Sequence, residues 1–304
     1  MGKAKLKPIE EQVVVITGAS SGIGLATAQL AAKRGARVVL AARSESTISE
    51  IADRINATGG QALAVKCDVA DRDQVDKLVQ RALQHFGRID TWVNNAGVSI
   101  YGRLDEVSEK DSRQLFETNF WGVYHGCLAV LPHLKQNGGA LINLGSEVSE
   151  SVVPLQGIYS ASKHAVKGFI DALRVEVEEL DKAPVSITLI QPTATDTPFP
   201  QHARNYMGNE PKLPTPLDDP EDVAEAILNA AVKPTRAKKV GAMSKVNTAT
   251  AKFAPSLGDK VSAKQADRQQ YAESPRQPAG TLEQAGELVG AAGQVRGSGG
   301  REED

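Results

Sequence analysis

Two hydrophobic patterns alternate along the first 190 residues of the chain. Short runs rich in β-branched residues, typical of buried parallel strands, cover residues 13–17, 37–41, 62–67, 89–93, 140–144 and 185–190. Between them, apolar residues recur at helical spacing, as over residues 75–86, and Gly87 fits the position just after a helix. Strands and helices in this order predict an α/β fold, a doubly wound parallel sheet of about seven strands with helices on both faces.

The pattern changes after residue 192. Seven prolines fall within residues 192–220, so we expect a long loop that forms a lid over about residues 193–217. Helices are predicted from Ser108 to about residue 135 and from Pro220 to Val232, with a short strand near residues 239–243. From residue 255 onward, Gly, Ala, Gln and charged residues dominate, and this composition buries too little surface to offset chain entropy. We therefore expect an N-terminal extension (1–9), one domain (10–250) and a disordered tail (255–304).

Composition narrows the class of protein and of partner. The formal net charge of −2 argues against nucleic acid as the main partner. Cys67 and Cys127 lie in apolar runs, which indicates buried thiols in a reducing compartment. No run approaches the roughly 18 apolar residues of a membrane span, and the first residues match neither a signal peptide nor a myristoylation site. The histidines show no metal-ligand spacing. We expect a cytoplasmic protein with no metal, membrane or nucleic-acid partner.

A glycine-rich turn follows the first predicted strand and opens a helix. Its glycines allow a sharp turn and a close approach to a pyrophosphate, and the helix N-terminus offers free N–H groups and a partial positive charge. A tight turn without a ligand is the alternative, which the position within the strand–helix series makes less favoured. The candidate cofactor-binding residues of this turn are Gly18, Ser20, Ser21, Gly22, Ile23 and Gly24.

The end of the second predicted strand bears on the choice between two dinucleotides. An acidic residue there binds the ribose hydroxyls of NAD, whereas a basic one accepts the 2′-phosphate of NADP. Neither Ala41 nor Ala42 is acidic, and Arg43 opens the following loop. Guanidinium pairs strongly with phosphate, so Arg43 predicts NADP(H) as cofactor. The alternative is that Arg43 is an exposed loop arginine.

Tyr159 and Lys163 lie four residues apart in a predicted helix, and therefore on one face. A free tyrosine has a pKa near 10 and is a poor proton shuttle at pH 7, but a nearby ammonium lowers that value. A tyrosine and a lysine at this spacing often occur by chance. Ser146 supports their assignment to an active site, because it ends a predicted strand at the edge where parallel sheets bind ligands.

Together these motifs resemble the short-chain dehydrogenase/reductase family, in its single-domain form of about 250 residues with a Rossmann-like fold. The resemblance covers roughly residues 10–245. Residues 17–24 match the cofactor motif, and residues 94–97 match a second motif at the end of the fourth strand. The remaining matches are Asp68 beside the adenine ring, the helix asparagine Asn119, and the active-site set Ser146, Tyr159 and Lys163.

The resemblance implies hydride transfer between nicotinamide and the carbon of a carbonyl or alcohol substrate. Tyr159 would donate or accept the proton, Ser146 would hold the carbonyl oxygen, and Lys163 would tune the tyrosine and hold the ribose. Asn119 would support a water relay, or else mark a structural helix kink. Asn94 would brace the sheet. Further implied cofactor-binding residues are Asp68, Val69, Asn95, Ala96, Gly97, Pro192 and Thr195. A homodimer or homotetramer is the family expectation.

One position departs from the family pattern. Thr193 stands where the family often has glycine, and threonine does not freely adopt a positive φ. Glu147 either faces the substrate or is an exposed loop acid, the latter being favoured. Candidate lid residues are Phe199, His202, Tyr206 and Met207. The alternative function is an NADP-binding redox sensor or scaffold without turnover. An epimerase or dehydratase is disfavoured by the glycine spacing.

Overall fold

The computed structural model describes residues 4–241, 250, 255–285 and 293–297. Seven parallel strands form the central sheet, and a separate pair lies outside it. In chain order the strands of the described residues are β1 Val13–Thr17, β2 Arg37–Ala42, β3 Gln61–Lys66, β4 Thr91–Asn94, β5 Ile100–Tyr101, β6 Gly139–Leu144, β7 Val185–Pro192, β8 Arg204–Asn205 and β9 Ala237–Val240. The sheet order is β3-β2-β1-β4-β6-β7-β9, and β5 pairs with β8. The predicted doubly wound parallel sheet is confirmed.

The described helices are α1 Gly22–Lys33, α2 Glu45–Ala57, α3 Arg72–Phe86, α4 Glu109–Phe116, α5 Gly122–Asn137, α6 Gly157–Arg174, α7 Phe199–His202, α8 Pro220–Val232 and α9 Pro255–Gln265. They cover both faces of the sheet. Because side chains of a strand alternate, Val13 and Val15 join the core under α3, α5 and α6, whereas Val14 and Ile16 join the core under α1, α2 and α8. Both cores are apolar, which fixes the register of the central strands.

The order of the strands also places the functional cleft. The chain builds β1, β2 and β3 outward in one direction and then returns to add β4 on the other side of β1. Helices on the two sides therefore diverge at the carboxyl ends of β1 and β4. This switch point is where open α/β sheets bind ligands.

One predicted helix is interrupted. The helix expected from Ser108 begins with the Ser108 side chain capping the Asp111 amide, as its sequence indicates. It then passes through a π-helical segment, Glu117–Trp121, before continuing as α5. The segment contains Asn119. A π-helix inside an α-helix is often found at a functional site.

The tail differs from its prediction. The predicted disorder over residues 255–304 is wrong in two places. Residues Pro255–Gln265 form α9, and Thr281 and Leu282 are buried. Leu282 belongs to a small apolar cluster with Val98, Ile100 and Leu115. A single apolar side chain hardly changes the average composition of the tail, and the prediction of disorder was based on that composition. Residues 286–292 and 298–304 lie outside the described part of the chain.

Candidate active site

A cavity of about 240 Å³ opens at the carboxyl ends of the strands. Residues from the glycine turn, the ends of β2, β4, β6 and β7, the start of α6 and the lid form its wall. It brings together sixteen of the eighteen predicted site residues, namely Gly18, Ser20, Ser21, Gly22, Ile23, Arg43, Asp68, Val69, Asn95, Ala96, Gly97, Ser146, Tyr159, Lys163, Pro192 and Thr195. Gly24 and Asn119 are not among the lining residues.

The glycine turn is held in place by Asn95, which follows β4. The Asn95 side-chain amide donates to the carbonyls of Thr17 at 2.9 Å and Gly18 at 3.1 Å. Gly18 has a φ of 67°, in the left-handed region that favours glycine. A Cβ on Gly24 would overlap the Gly18 carbonyl, so Gly24 serves close packing within the turn.

The N-terminus of α1 fits an anion. Ser21, at the N-cap position, makes no capping hydrogen bond with its side chain. The first amides of a helix have no partner within it, and their N–H groups carry the positive end of the helix dipole. Both Gly22 and Ile23 border the cavity, and the Gly22 amide donates to the carbonyl of Gln294 in the tail at 2.8 Å. The turn can therefore hold the pyrophosphate of a dinucleotide.

Arg43 lies at the end of β2 and is half-buried, so the exposed-arginine interpretation does not hold. Burial lowers the pKa of its guanidinium, and the nearby Asp68 carboxylate acts in the opposite direction. Its Nη2 donates to the carbonyl of Thr281 at 2.6 Å, and its Nη1 to that of Leu282 at 3.4 Å. Both carbonyls belong to the tail.

Tyr159 and Ser146 both line the cavity, and the Ser146 hydroxyl oxygen accepts from the Val148 amide at 3.3 Å. In the protein by itself the pKa of Tyr159 lies above its usual value, contrary to the expected lowering. Burial raises this pKa, the nearby Ser146 side chain lowers it, and the Glu147 carboxylate raises it further. Lys163 Nζ donates to the Leu144 carbonyl at 2.9 Å and lies 5.7 Å from the centre of the Tyr159 ring. Burial lowers the pKa of Lys163 to about 8.

The position of Asn119 fits the helix-kink interpretation, and the water relay stays a prediction. Asn119 lies in the π-helical segment, and its side chain is fully occupied. Oδ1 accepts from the Val98 amide at 2.9 Å, while Nδ2 donates to the Val98 carbonyl at 2.9 Å and to Ser162 Oγ at 3.1 Å. Through these bonds Asn119 positions the chain after β4 against α6. Asn94 braces the sheet as expected, bonding the Trp92 and Asn143 side chains.

The loop after β7 accommodates the missing glycine. Thr193 is not among the described residues with positive φ, so this loop does not require the left-handed conformation there. Its Oγ1 donates to Glu147 Oε1 at 3.0 Å. Glu147 is only 7% exposed and lines the cavity, and the interpretation as an exposed acid is therefore wrong.

The lid supplies part of the wall and part of its support. Phe199 and His202 line the cavity, as expected. Tyr206 and Met207 do not; the Tyr206 hydroxyl instead donates to Asp111 Oδ2 of α4 at 2.7 Å. The further lining residues that sequence reasoning left out include Gln156, Leu213, Pro214 and Thr281. Leu213 and Pro214 fall within the predicted lid, and Gln156 lies just ahead of Tyr159 at the start of the same helix.

Within the described residues, no group of three His, Cys, Asp or Glu side chains is placed to hold a metal ion. Nor does any helix in those parts of the chain combine the length and apolar character needed to cross a membrane.

The fold and this arrangement of residues define a nucleotide-dependent dehydrogenase. The family model of the short chain dehydrogenases matches residues 12–207. The chain belongs to the short-chain dehydrogenase/reductase family and is an oxidoreductase of that family. It is 42% identical over 279 residues to the uncharacterized oxidoreductase YxnA of Bacillus subtilis, covering 91% of this chain and 78% of that protein. It is 33% identical over 248 residues to 11-beta-hydroxysteroid dehydrogenase A of Sesamum indicum, covering 78% and 70%.

Solved structures give the same picture of the fold. An alcohol dehydrogenase from Thermococcus sibiricus, complexed with 5-hydroxy-NADP, is 30% identical with a TM-score of 0.66, covering 75% of this chain and 94% of that one. A short-chain dehydrogenase/reductase from Burkholderia phymatum, in complex with NAD, is 28% identical with a TM-score of 0.75, covering 83% and 96%. Similar folds thus hold either dinucleotide.

Proposed function

We propose that the protein is an NADP(H)-dependent oxidoreductase that moves hydride between nicotinamide and a carbonyl or secondary alcohol substrate, with Tyr159 as proton donor or acceptor. The observation that carries the proposal is that Ser146, Tyr159 and Lys163 line one cavity that also reaches the glycine turn and Arg43. A proton donor and a dinucleotide site thus share one cleft.

The side chains have separable roles. The nicotinamide, when bound, supplies or accepts the hydride. Ser146 donates a hydrogen bond to the substrate oxygen and stabilises the charge that develops on it. Tyr159 gives its proton to the same oxygen. Because burial raises the pKa of Tyr159, the phenol keeps its proton at neutral pH, which favours its use as an acid in the reductive direction. The ammonium of Lys163 stabilises the phenolate that remains.

Arg43 supports NADP(H) over NAD(H). It lies at the strand end where the adenosine ribose is expected, and no acidic residue precedes it on β2. Asp68, the acid beside it, is partly engaged, because one of its carboxylate oxygens accepts from the Ala70 amide at 3.0 Å. A guanidinium here matches the 2′-phosphate in charge and in geometry.

The wall around Tyr159 indicates the general character of the substrate. The Phe199 ring lies 5.6 Å from the Tyr159 ring, measured between centroids. Val148, Val153 and Leu213 add apolar surface, while Glu147 contributes a carboxylate. We infer a mainly apolar carbonyl compound that carries a hydrogen-bond donor opposite Glu147.

Tyr159→Phe tests the proposal because it removes the proton and keeps the ring. We expect kcat for carbonyl reduction to fall by roughly 10²–10⁴-fold. NADPH binding, followed by fluorescence, should change little. Tyr124→Phe is the matched control, since Tyr124 does not line the cavity.

The assay uses a panel of aldehydes, ketones and sterols, with NADPH absorbance as the readout. A protein that binds NADPH, reduces no member of the panel and behaves the same after Tyr159→Phe would be a sensor or scaffold rather than an enzyme. That result would refute the proposed turnover.

A further inference from the structure

Two described segments of the tail, residues 278–282 and 293–297, lie against the cofactor cleft; we refer to them as the tail segments. The first contacts the lid and the end of β2. The Thr281 amide donates to the His202 carbonyl at 2.8 Å, and the Thr281 carbonyl accepts from Arg43 at 2.6 Å. Thr281 itself lines the cavity.

The second segment contacts the glycine turn. The Gly293 amide donates to the Ser20 carbonyl at 2.7 Å, and the Gly22 amide donates to the Gln294 carbonyl at 2.8 Å. Val295 packs against the core under α1 and α8. These two backbone bonds continue the wall of the cleft beyond the turn.

Arg296 anchors the second segment in an acidic site at the start of α8. Its Nη2 lies 2.5 Å from Asp219 and 2.7 Å from Glu221, and its Nη1 lies 3.8 Å from Asp196. Asp196 is in the loop after β7, so a single guanidinium joins that loop, α8 and the tail. Hydrogen bonding to Arg296 lowers the pKa of Asp219, consistent with an ion pair that is formed at neutral pH.

The tail segments form a wall and do not fill the cleft. Of the residues in the two segments, only Thr281 lines the cavity, while residues 293–297 contact the glycine turn through Ser20 and Gly22. Their contacts fall at the two places where phosphates of a dinucleotide are expected, the glycine turn and Arg43.

We propose that the tail segments are a strap over the cofactor site, anchored by Arg296, that slows release of the bound dinucleotide. The inference rests on the proposed function, since it assumes a dinucleotide in the cleft. It assigns a cofactor-retaining role to residues that lie outside the cofactor motifs. A bound dinucleotide leaves only when this wall opens.

The test is the rate of NADPH release. Protein loaded with NADPH is mixed with excess NADP⁺ in a stopped-flow instrument, and the loss of NADPH fluorescence gives koff. We expect Arg296→Ala to raise koff roughly three- to fivefold, as loss of a surface ion-pair network allows. Arg296→Glu should raise it further, because a fourth carboxylate joins Asp196, Asp219 and Glu221. Arg276→Ala is the control, because Arg276 is a tail arginine whose side chain, within the described residues, pairs with Glu273.

A second measurement needs no cofactor. Amide hydrogen exchange over residues 20–24 should accelerate in cofactor-free Arg296→Ala, because the Gly22 amide loses its partner. Release at the wild-type rate would overturn the strap, and so would faster release without faster exchange. If the wild type binds neither NADPH nor NADH, the proposed function itself fails, which is a different result from binding with unchanged release.

Discussion

Replacing Arg43 with alanine is the sharpest test of cofactor choice. The guanidinium uses Nη1 and Nη2 to bond two tail carbonyls, and each of these nitrogens carries a second hydrogen. Nε and those hydrogens suffice for a hydrogen bond to a 2′-phosphate. The side chain is half-buried, so solvent screens that bond less than it would at the surface.

The size of the effect depends on the kind of bond. A hydrogen bond to a charged group contributes about 1.5–3 kcal/mol. Since about 1.4 kcal/mol corresponds to a factor of ten, Arg43→Ala should lower kcat/KM for NADPH roughly 10- to 150-fold. The kcat/KM of Arg43→Lys for NADPH should lie between those of wild type and Arg43→Ala, because lysine keeps the charge and loses the planar fork of hydrogen-bond donors.

The assay compares kcat/KM for NADPH and NADH in wild type and both variants. The ratio matters more than either value, since loosening the tail carbonyls from Arg43 affects both dinucleotides alike. Only the 2′-phosphate separates them. A ratio that stays the same after Arg43→Ala would refute the assignment of Arg43 to the phosphate.

Two further predictions concern stability. Burial holds the pKa of Lys163 at about 8 instead of 10.5, which costs the folded protein about 3 kcal/mol at pH 7. Lys163→Met removes this cost but also loses the hydrogen bond of Lys163, so its unfolding free energy should rise by about 1–2 kcal/mol while activity is lost. From pH 8 to 10.5 the unfolded lysine keeps a proton that the folded one releases, so the unfolding free energy of wild type should rise toward that of Lys163→Met. A difference in unfolding free energy between the two proteins that widens with pH in urea titrations would contradict this. Gly24→Ala should lose about 1–3 kcal/mol through overlap within the turn, whereas Gly168→Ala, with open space in α6, should gain up to about 1 kcal/mol; equal thermal shifts would contradict the packing role of Gly24.

The strands and the glycine turn could be predicted because their signals are local. Buried β-branched runs and the turn after β1 leave their pattern in consecutive residues, and the six strands predicted from such runs are all present. Arg43 is likewise readable from its place after β2. Ser146 and Tyr159 are matched by motif, and the fold then places both in the wall of one cavity.

Other features depend on partners far away in sequence. The tail docks through the carbonyls of Thr281 and Gln294, and every residue has a carbonyl, so side-chain chemistry gives no sign of it. The burial of Glu147 depends on Thr193, 46 residues later. The direction of the Tyr159 pKa shift depends on how much of the surrounding wall excludes water. Spacing to Lys163 carries no information on that.

The π-helical segment Glu117–Trp121 has a consequence for how the family can evolve. A π-turn amounts to one residue added to an α-helix, which rotates the helix after it relative to the helix before it. Before it, α4 offers Asp111 to the lid residues Arg204 and Tyr206. After it, α5 places Cys127 against Asn94 in the core. The added residue lets the two helices meet their partners independently, so substitutions that adapt α4 to a new lid need not disturb the core packing of α5.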